Sequence, residues 1–119
     1  MTPMDRARNE ANGRRGETLA AWYLRLKGWR IVARRVKTPR GEVDLVARRG
    51  RTVAFVEVKW RRTEAELAVA LDHWRLRRVI AAAEALAPRF AGAGDDLRID
   101  AILLAPGRWP RHIANASLG

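Results

Sequence analysis

The sequence contains no cysteine and only two histidines among its 119 residues. The absence of cysteine excludes disulfide frameworks, thiolate zinc sites and cysteine nucleophiles, and it fits a reducing compartment. No apolar run approaches the roughly 20 residues that a membrane-spanning helix needs. The polar N-terminal stretch lacks the apolar segment of a signal peptide. We therefore expect a cytoplasmic protein that does not interact with a membrane.

Acidic residues are also scarce, with 13 Asp and Glu against 24 Lys and Arg, which gives a net charge of +11. A codon bias towards arginine would explain arginine in place of lysine, but not the excess of basic over acidic residues. A field of this sign attracts polyanions and speeds their capture. Nucleic acid is therefore the leading class of partner, and a basic domain without a nucleic-acid ligand is the alternative.

The pattern along the chain predicts a disordered tail over residues 1–13 and a single domain over residues 14–119. The domain reads as helix, three strands, helix and strand, followed by a short edge strand. The second long helix is expected to cross over to a parallel strand, so the sheet is mixed and the class is α/β. The predicted bounds are a helix from Gly16 to Gly28, strands 29–37, 42–48 and 52–61, a helix 72–87 stopped by Pro88, a strand 97–105 and an edge strand within 109–116.

The stretch GEVDLVARRGRTVAFVEVK places four charged residues on two otherwise apolar strands. A two-residue loop at 50–51, with glycine first, suits a type II′ turn. That turn pairs residues whose numbers sum to 101, so Asp44 lies opposite Glu57 and Glu42 lies opposite Lys59. Side chains alternate between the faces of a strand, so all four are expected on one face.

The same alternation places Val46 and Phe55 on the charged face and Val43 with Leu45 on the other. Two carboxylates about 5 Å apart repel by about 3 kcal/mol at an effective dielectric constant near 20. A divalent cation such as Mg²⁺ or Mn²⁺ would relieve that repulsion. The alternative is a hydrated face that binds no metal, although Val46 and Phe55 indicate that the face is partly covered.

This hairpin, with GETLAAWYLRLKGWRIVARR before it and RID and WPRHIANA after it, resembles the YraN-like family of uncharacterised bacterial proteins. That family is grouped with the PD-(D/E)xK nuclease superfamily, which includes restriction endonucleases and archaeal Holliday-junction resolvases. The resemblance implies a restriction-endonuclease-like α-β-β-β-α-β layer sandwich. It also implies a metal-dependent endonuclease that hydrolyses DNA phosphodiester bonds, on branched or flapped DNA in the resolvase-like members.

The resemblance assigns roles to five residues. Asp44, Glu57 and the backbone carbonyl of Val58 match the ligands of one or two Mg²⁺ or Mn²⁺ ions. Lys59 matches the catalytic lysine, and Glu17 matches a helix glutamate that supports the metal site. Glu17 is expected on an inward, mostly apolar helix face, where a lone carboxylate needs a partner.

Glu42 belongs to the Gly-Glu-x-Asp signature, and we expect it to support the site by pairing with Lys59. Arg75 stands where the family usually has a lysine; an arginine can bind phosphate but cannot exchange a proton. The predicted nucleic-acid-binding surface consists of Arg34, Arg35, Lys37, Arg40, Arg61, Arg62, Arg75 and Arg78.

Two other functions remain open at this level: a non-catalytic nucleic-acid-binding module with the nuclease fold, and a basic protein that docks on an RNA-rich or protein assembly. Resolvase-like enzymes often act as dimers, so a homodimer is one arrangement that the resemblance allows. Trp22, Trp60 and Trp74 are predicted to pack in the core. His73 and His112 have no second ligand at metal-binding spacing and are predicted to be surface residues.

Overall fold

The computed structural model describes residues 3–63 and 73–116, with the backbone alone for residues 3–13 and 73–75. Within these ranges the fold is α/β, with two helices and a five-stranded sheet. No helix in this part of the chain is long and apolar enough to cross a membrane. The elements are α1 (Pro3–Leu26), β1 (Arg30–Thr38), β2 (Gly41–Arg49), β3 (Thr52–Trp60), α2 (His73–Phe90), β4 (Asp96–Leu104) and β5 (Arg111–Ile113).

The strands lie in the order β1-β2-β3-β4-β5. β3 and β4 are parallel and every other pair is antiparallel. The mixed sheet and the crossover between β3 and β4, which includes α2, agree with the prediction. The register between β2 and β3 is also confirmed from Arg49–Thr52 to Leu45–Val56, where each pair sums to 101. Gly50 at the loop has a φ of 61°, which suits the first position of a type II′ turn.

The helices cover opposite faces of the sheet. Ala20, Ala21 and Leu24 of α1 pack with Leu45 and Val56 in one buried cluster. Val79, Ala82, Ala83 and Leu86 of α2 pack on the other face in a second cluster. Its strand members include Val36, Val43, Val46 and Phe55. The charged face of the hairpin is therefore covered by α2 where Val46 and Phe55 lie, as predicted.

Both helices are longer than the sequence predicts. α1 begins at Pro3, so residues 3–13, expected to be a disordered tail, are helical, and Gly16 lies within the helix rather than at its start. Alanine, arginine and glutamate favour this extension, and proline is tolerated in a first turn. α2 continues through Pro88 to Phe90. Its end is held because Leu86 and Phe90, on either side of Pro88, both pack against the second cluster.

Gly41 allows α2 to approach the start of β2 closely. A Cβ atom at this position would lie 2.6 Å from the backbone carbonyl oxygen of Arg78. We expect Gly41→Ala to push α2 away from β2 and to lower the free energy of unfolding by about 1–3 kcal/mol, as overpacking does. Gly92→Ala is the control, because the nearest atom to its Cβ would be a flexible side-chain oxygen at 3.7 Å. Equal denaturation midpoints for the two variants would contradict this account.

A buried carboxylate joins β5 to the rest of the sheet. Asp100 is fully buried and accepts two hydrogen bonds from the guanidinium of Arg98, at 2.9 and 2.7 Å. His112 Nε2 donates a third at 2.7 Å, and the N–H of Asn115 donates a fourth at 3.1 Å. One side chain of β4 thereby fixes both β5 and the turn that follows it.

Candidate active site

The pairing of β1 with β2 shifts register once between Ile31 and Ala33, and the ladders on both sides of β2 are interrupted at Asp44. β1 and β2 pair at Arg34–Leu45 and again at Val36–Val43, and between these pairs Arg35 has a φ of 52°. The β2–β3 ladder ends at Leu45–Val56. Along β2 from the hairpin turn, Asp44 is therefore the first residue that is paired with neither β1 nor β3.

The Asp44 carboxylate occupies the opening that the interrupted ladder leaves. Its Oδ2 accepts a hydrogen bond of 2.7 Å from the backbone N–H of Val58 on β3. The prediction placed Asp44 directly opposite Glu57 in a continuous ladder, whereas the structure replaces the next ladder bond with this side-chain bond. The carboxylate consequently lies between the two strands rather than on one face of a regular sheet.

Glu57 and Lys59 lie on the same face of β3, opposite to Val58. The Glu57 carboxylate is buried and its Oε1 is 2.5 Å from Lys59 Nζ. The Lys59 side chain is itself only 18% exposed. Both charges are thus held away from bulk solvent, where their mutual attraction and their effect on neighbours are stronger than at a surface.

The Asp44 carboxylate is poorly stabilised as an anion. Burial first, and then the charge of Glu57, raise its pKa to about 8, although the N–H of Val58 and the charge of Lys59 act in the other direction. Glu17 adds a smaller repulsion. The structure therefore brings Glu57, Lys59 and Glu17 close enough for their charges to shift the pKa of Asp44.

Glu17 has a partner that the sequence analysis did not assign to it. This α1 residue is buried, and its Oε1 accepts a 2.6 Å hydrogen bond from Arg35 Nε. The bond raises the pKa of the Arg35 guanidinium. Arg35 was predicted to bind nucleic acid, yet its side chain, 40% exposed, points its Nε at the site. The left-handed backbone of Arg35 is the local feature that accompanies this placement.

The remaining donor predicted for a metal is the carbonyl of Val58. In a strand, the N–H and C=O of one residue point towards the same neighbouring strand. Because the Val58 N–H meets Asp44, its carbonyl lies on the Asp44 side as well. Within the described ranges no three His, Cys, Asp or Glu residues are grouped so as to hold a metal by themselves. The oxygen donors available to a metal ion are two carboxylates and one carbonyl, which are the hard ligands that Mg²⁺ prefers.

Two predictions about the hairpin faces are wrong. Val43 packs with Val46 and Phe55 against α2, not with Leu45, because the alternation of side chains is broken at Asp44. For the same reason Glu42 does not pair with Lys59; it is exposed and lies opposite Lys37 in the β1–β2 ladder.

Most of the basic residues predicted to bind nucleic acid lie around this end of the strands. Lys37 and Arg40 lie at the β1–β2 turn, and Arg61 and Arg62 follow β3. Arg78 lies where α2 approaches Gly41. Arg34 lies beside α1, where it donates to Thr18 Oγ1 at 3.0 Å, and Arg40 forms a 3.4 Å ion pair with Glu84. The backbone of Arg75 lies in the first turn of α2, and its side chain is outside the described residues.

Two aromatic side chains, Trp22 and His112, do not lie where the sequence predicts. Trp22 is 59% exposed, although Trp60 packs against the first cluster as predicted. The side chains of Trp74 and His73 lie outside the described part of the chain. His112 is not a surface residue: its side chain is 6% exposed because it bonds to Asp100. Trp109 was not singled out by any pattern, yet it is 85% exposed.

Comparison with known proteins shows the family of this chain. Residues 16–104 match the family described as "Uncharacterised protein family UPF0102". A UPF0102 protein of Sphingopyxis alaskensis is 66% identical over 112 residues, which cover 94% of this chain and 97% of that protein. A UPF0102 protein of Erythrobacter litoralis is 66% identical over 113 residues, with 95% and 97% covered. The match includes α1 from Gly16, the interrupted hairpin and β4, so the chain belongs to the uncharacterised protein family UPF0102.

Proposed function

We propose that this protein is a metal-dependent endonuclease that hydrolyses phosphodiester bonds in DNA. The observation that carries the proposal is a pair of carboxylates, the half-buried Asp44 and the buried Glu57, beside Lys59 where the ladder between β2 and β3 is interrupted, in a strongly basic domain. Burying two acids side by side is unfavourable for folding, so the arrangement calls for a function. The chain would then be a member of the PD-(D/E)xK superfamily with a restriction-endonuclease-like arrangement of its α/β layers.

The donor set fits Mg²⁺ or Mn²⁺. Asp44, Glu57 and the Val58 carbonyl would hold the ion and leave coordination positions for water and a phosphate oxygen. When bound, such an ion polarises the scissile phosphate, lowers the pKa of a water and stabilises the leaving oxygen. A cation there would also stabilise the Asp44 anion, whose pKa is raised by burial and then by the charge of Glu57.

Lys59 would act on the attacking water and on the phosphate. Its ammonium group is fixed by Glu57 at 2.5 Å and remains partly open to solvent at 18% exposure. From there it can orient a water molecule and neutralise negative charge that builds up on the phosphate. An ammonium group is a compact point charge with three donors, so it can contact a water and a phosphate oxygen as well as Glu57.

The Glu17–Arg35 pair would position the site rather than react. The 2.6 Å bond joins α1 to the irregular residue of β1 directly beside Asp44. The basic residues around the edge would contact backbone phosphates, which orient DNA without reading its sequence. Binding through these residues is expected to weaken steeply as salt rises.

DNA cleavage tests the proposal. Labelled linear, flapped and four-way-junction DNA would be incubated with wild type and Glu57→Gln in Mg²⁺ and in Mn²⁺. We expect wild type to cut at least one substrate and Glu57→Gln to be at least about 100-fold slower, since the loss of groups that merely support a metal ligand costs 10–100-fold. Asp96→Asn is the matched control, because Asp96 is exposed at the opposite end of the parallel β3–β4 pair, level with Thr52.

The outcome also separates the enzyme from a binding module. Equal, salt-sensitive binding of DNA by wild type and Glu57→Gln, with no cleavage of any substrate in either metal, would contradict the nuclease proposal. Loss of activity in Asp96→Asn as well would show that the effect of Glu57→Gln is not specific to the site.

A further inference from the structure

The loop between β4 and β5 carries an exposed tryptophan. This loop lies at the same end of the strands as the candidate site. Trp109, at 85% exposure, is the most exposed large apolar side chain in the part of the chain whose side chains are described. Leu103 pairs with Lys59 on one side and with Arg111 on the other. The loop therefore leaves and re-enters the sheet at the level of Lys59.

This loop is rigidly built. Pro106 and Pro110 restrict the backbone on both sides of Trp109. The N–H of Arg108 donates to the carbonyl of Ala105 at 3.3 Å, and Gly107 takes the φ of 72° that the turn needs. An indole held out by such a loop loses little conformational freedom when a ligand covers it. The ring therefore offers a rigid apolar face that a ligand can cover.

The surroundings of the indole indicate the chemistry of its ligand. Arg108 and Arg111 flank it and are exposed, and Arg62 lies at the end of neighbouring β3. A flat apolar ring among cations suits a partner that combines flat rings with anionic groups, which is the composition of a nucleic-acid strand. In paired, stacked duplex the base faces are covered by their neighbours. A ring of this kind can therefore stack only on a base that is unpaired or displaced.

The spacing relates this ring to the site. β5 lies two strands from β3, which is about 10 Å at the usual separation of strands. Stacked nucleotides of one strand rise roughly 3.4 Å each and unstacked ones span more, so a few nucleotides at most cover this distance. A strand whose phosphate lies at Asp44 and Glu57 would thus bring a base to Trp109 a few nucleotides away.

We propose that Trp109 stacks on an unpaired base of the bound DNA, a few nucleotides from the phosphate at the carboxylate pair. The loop thereby selects DNA that contains single-stranded or branched segments over continuous duplex. This inference rests on the proposed function only in that the same edge binds DNA; it does not require cleavage.

The test uses flapped DNA carrying 2-aminopurine at successive unpaired positions, with a continuous duplex of equal length, and chelator to prevent cleavage. The proteins are wild type, Trp109→Ala, Trp109→Phe and the control Trp22→Ala. Trp22 is also exposed and also lies against an arginine, with Arg25 5.3 Å from its ring, but it lies on the outer face of α1. Anisotropy gives the affinity for each DNA, and quenching of 2-aminopurine reports stacking.

We expect Trp109→Ala to bind flapped DNA roughly 10-fold more weakly or worse, to bind duplex as wild type does, and to lose the quenching. Trp109→Phe should restore most of both, and Trp22→Ala should match wild type. Unchanged preference and quenching in Trp109→Ala, or equal losses for flap and duplex, would overturn the inference. If wild type never cleaves DNA and only Trp109→Ala loses the quenching, the nuclease proposal fails and the stacking proposal stands. If wild type cleaves DNA and Trp109→Ala keeps the wild-type preference for flapped DNA, the nuclease proposal stands and the stacking proposal fails.

Discussion

Asp44→Asn is expected to make the metal-free protein more stable while it removes the response to divalent cations. In the unfolded chain Asp44 ionises near 3.8, and in the fold burial and Glu57 raise its pKa to about 8. A raised carboxylate pKa means that ionisation opposes folding, so stability is lost as pH rises from about 4 to about 8. Asparagine stays neutral, and its carbonyl oxygen can still accept the N–H of Val58.

The expected size follows from the shift. The difference between 3.8 and about 8 corresponds to about 6 kcal/mol at most. Local rearrangement and the remaining exposure reduce it, so we expect a gain of about 2–4 kcal/mol at pH 8 and a smaller gain at pH 5. Urea denaturation in chelator at both values measures this difference.

Divalent metal should narrow or close the difference in stability between the two proteins. Wild type is expected to gain about 2.7 kcal/mol at a Mn²⁺ concentration 100 times the dissociation constant, while Asp44→Asn gains little. A variant that is less stable than wild type in chelator at pH 8 would contradict the account, since Asp44 would then be a structural residue. Asp96→Asn serves as the control, because its carboxylate is exposed.

Asp100→Ala is expected to cause the largest loss of stability, about 3–5 kcal/mol. Its carboxylate is fully buried and satisfies Arg98, His112 and the N–H of Asn115. Alanine would leave these donors buried without their acceptor and would release β5 from β4. Asp96→Ala, at the exposed start of the same strand, should change stability by less than about 0.5 kcal/mol.

The acid side of the stability profile tests the same network. Burial raises the pKa of Asp100, but the hydrogen bonds from His112, Arg98 and Asn115 outweigh it and hold the pKa at about 2, below the usual 3.8. A depressed pKa stabilises the fold above about pH 4, and this contribution of roughly 2.5 kcal/mol is lost as pH falls towards 2. The free energy of unfolding of Asp100→Ala should therefore fall less steeply with pH on the acid side than that of wild type. An identical slope in both proteins would contradict the assignment.

Several features of this molecule could be predicted from the sequence because they depend on local patterns. The apolar alternation of β2 and β3, with Gly50 at the turn, determines the hairpin register. The helix between β3 and β4 requires a crossover, and hence a parallel pair. Glu57 and Lys59 fall together because every second side chain of a strand lies on the same face.

The irregularities could not be predicted, because they depend on contacts between elements. The left-handed Arg35, the turn of Asp44 towards Val58 and the Glu17–Arg35 bond each need three strands or a helix in place at once. A period-two rule continues through such a point, and so it misplaced Val43 and Glu42. Trp109 has no periodic neighbours, so its exposure becomes visible only once the β4–β5 loop is placed beside Lys59.

The central claim is that the half-buried Asp44 and the buried Glu57, where the ladder between β2 and β3 is interrupted, form a divalent-cation site. Anomalous diffraction from crystals containing Mn²⁺ tests it most directly, because it locates the ion independently of activity. The account predicts an anomalous peak for a Mn²⁺ ion that is bonded to oxygens of both Asp44 and Glu57. It predicts no such peak in Asp44→Asn. Mn²⁺ bound elsewhere, or no peak while Glu57 stays paired with Lys59, would contradict the account.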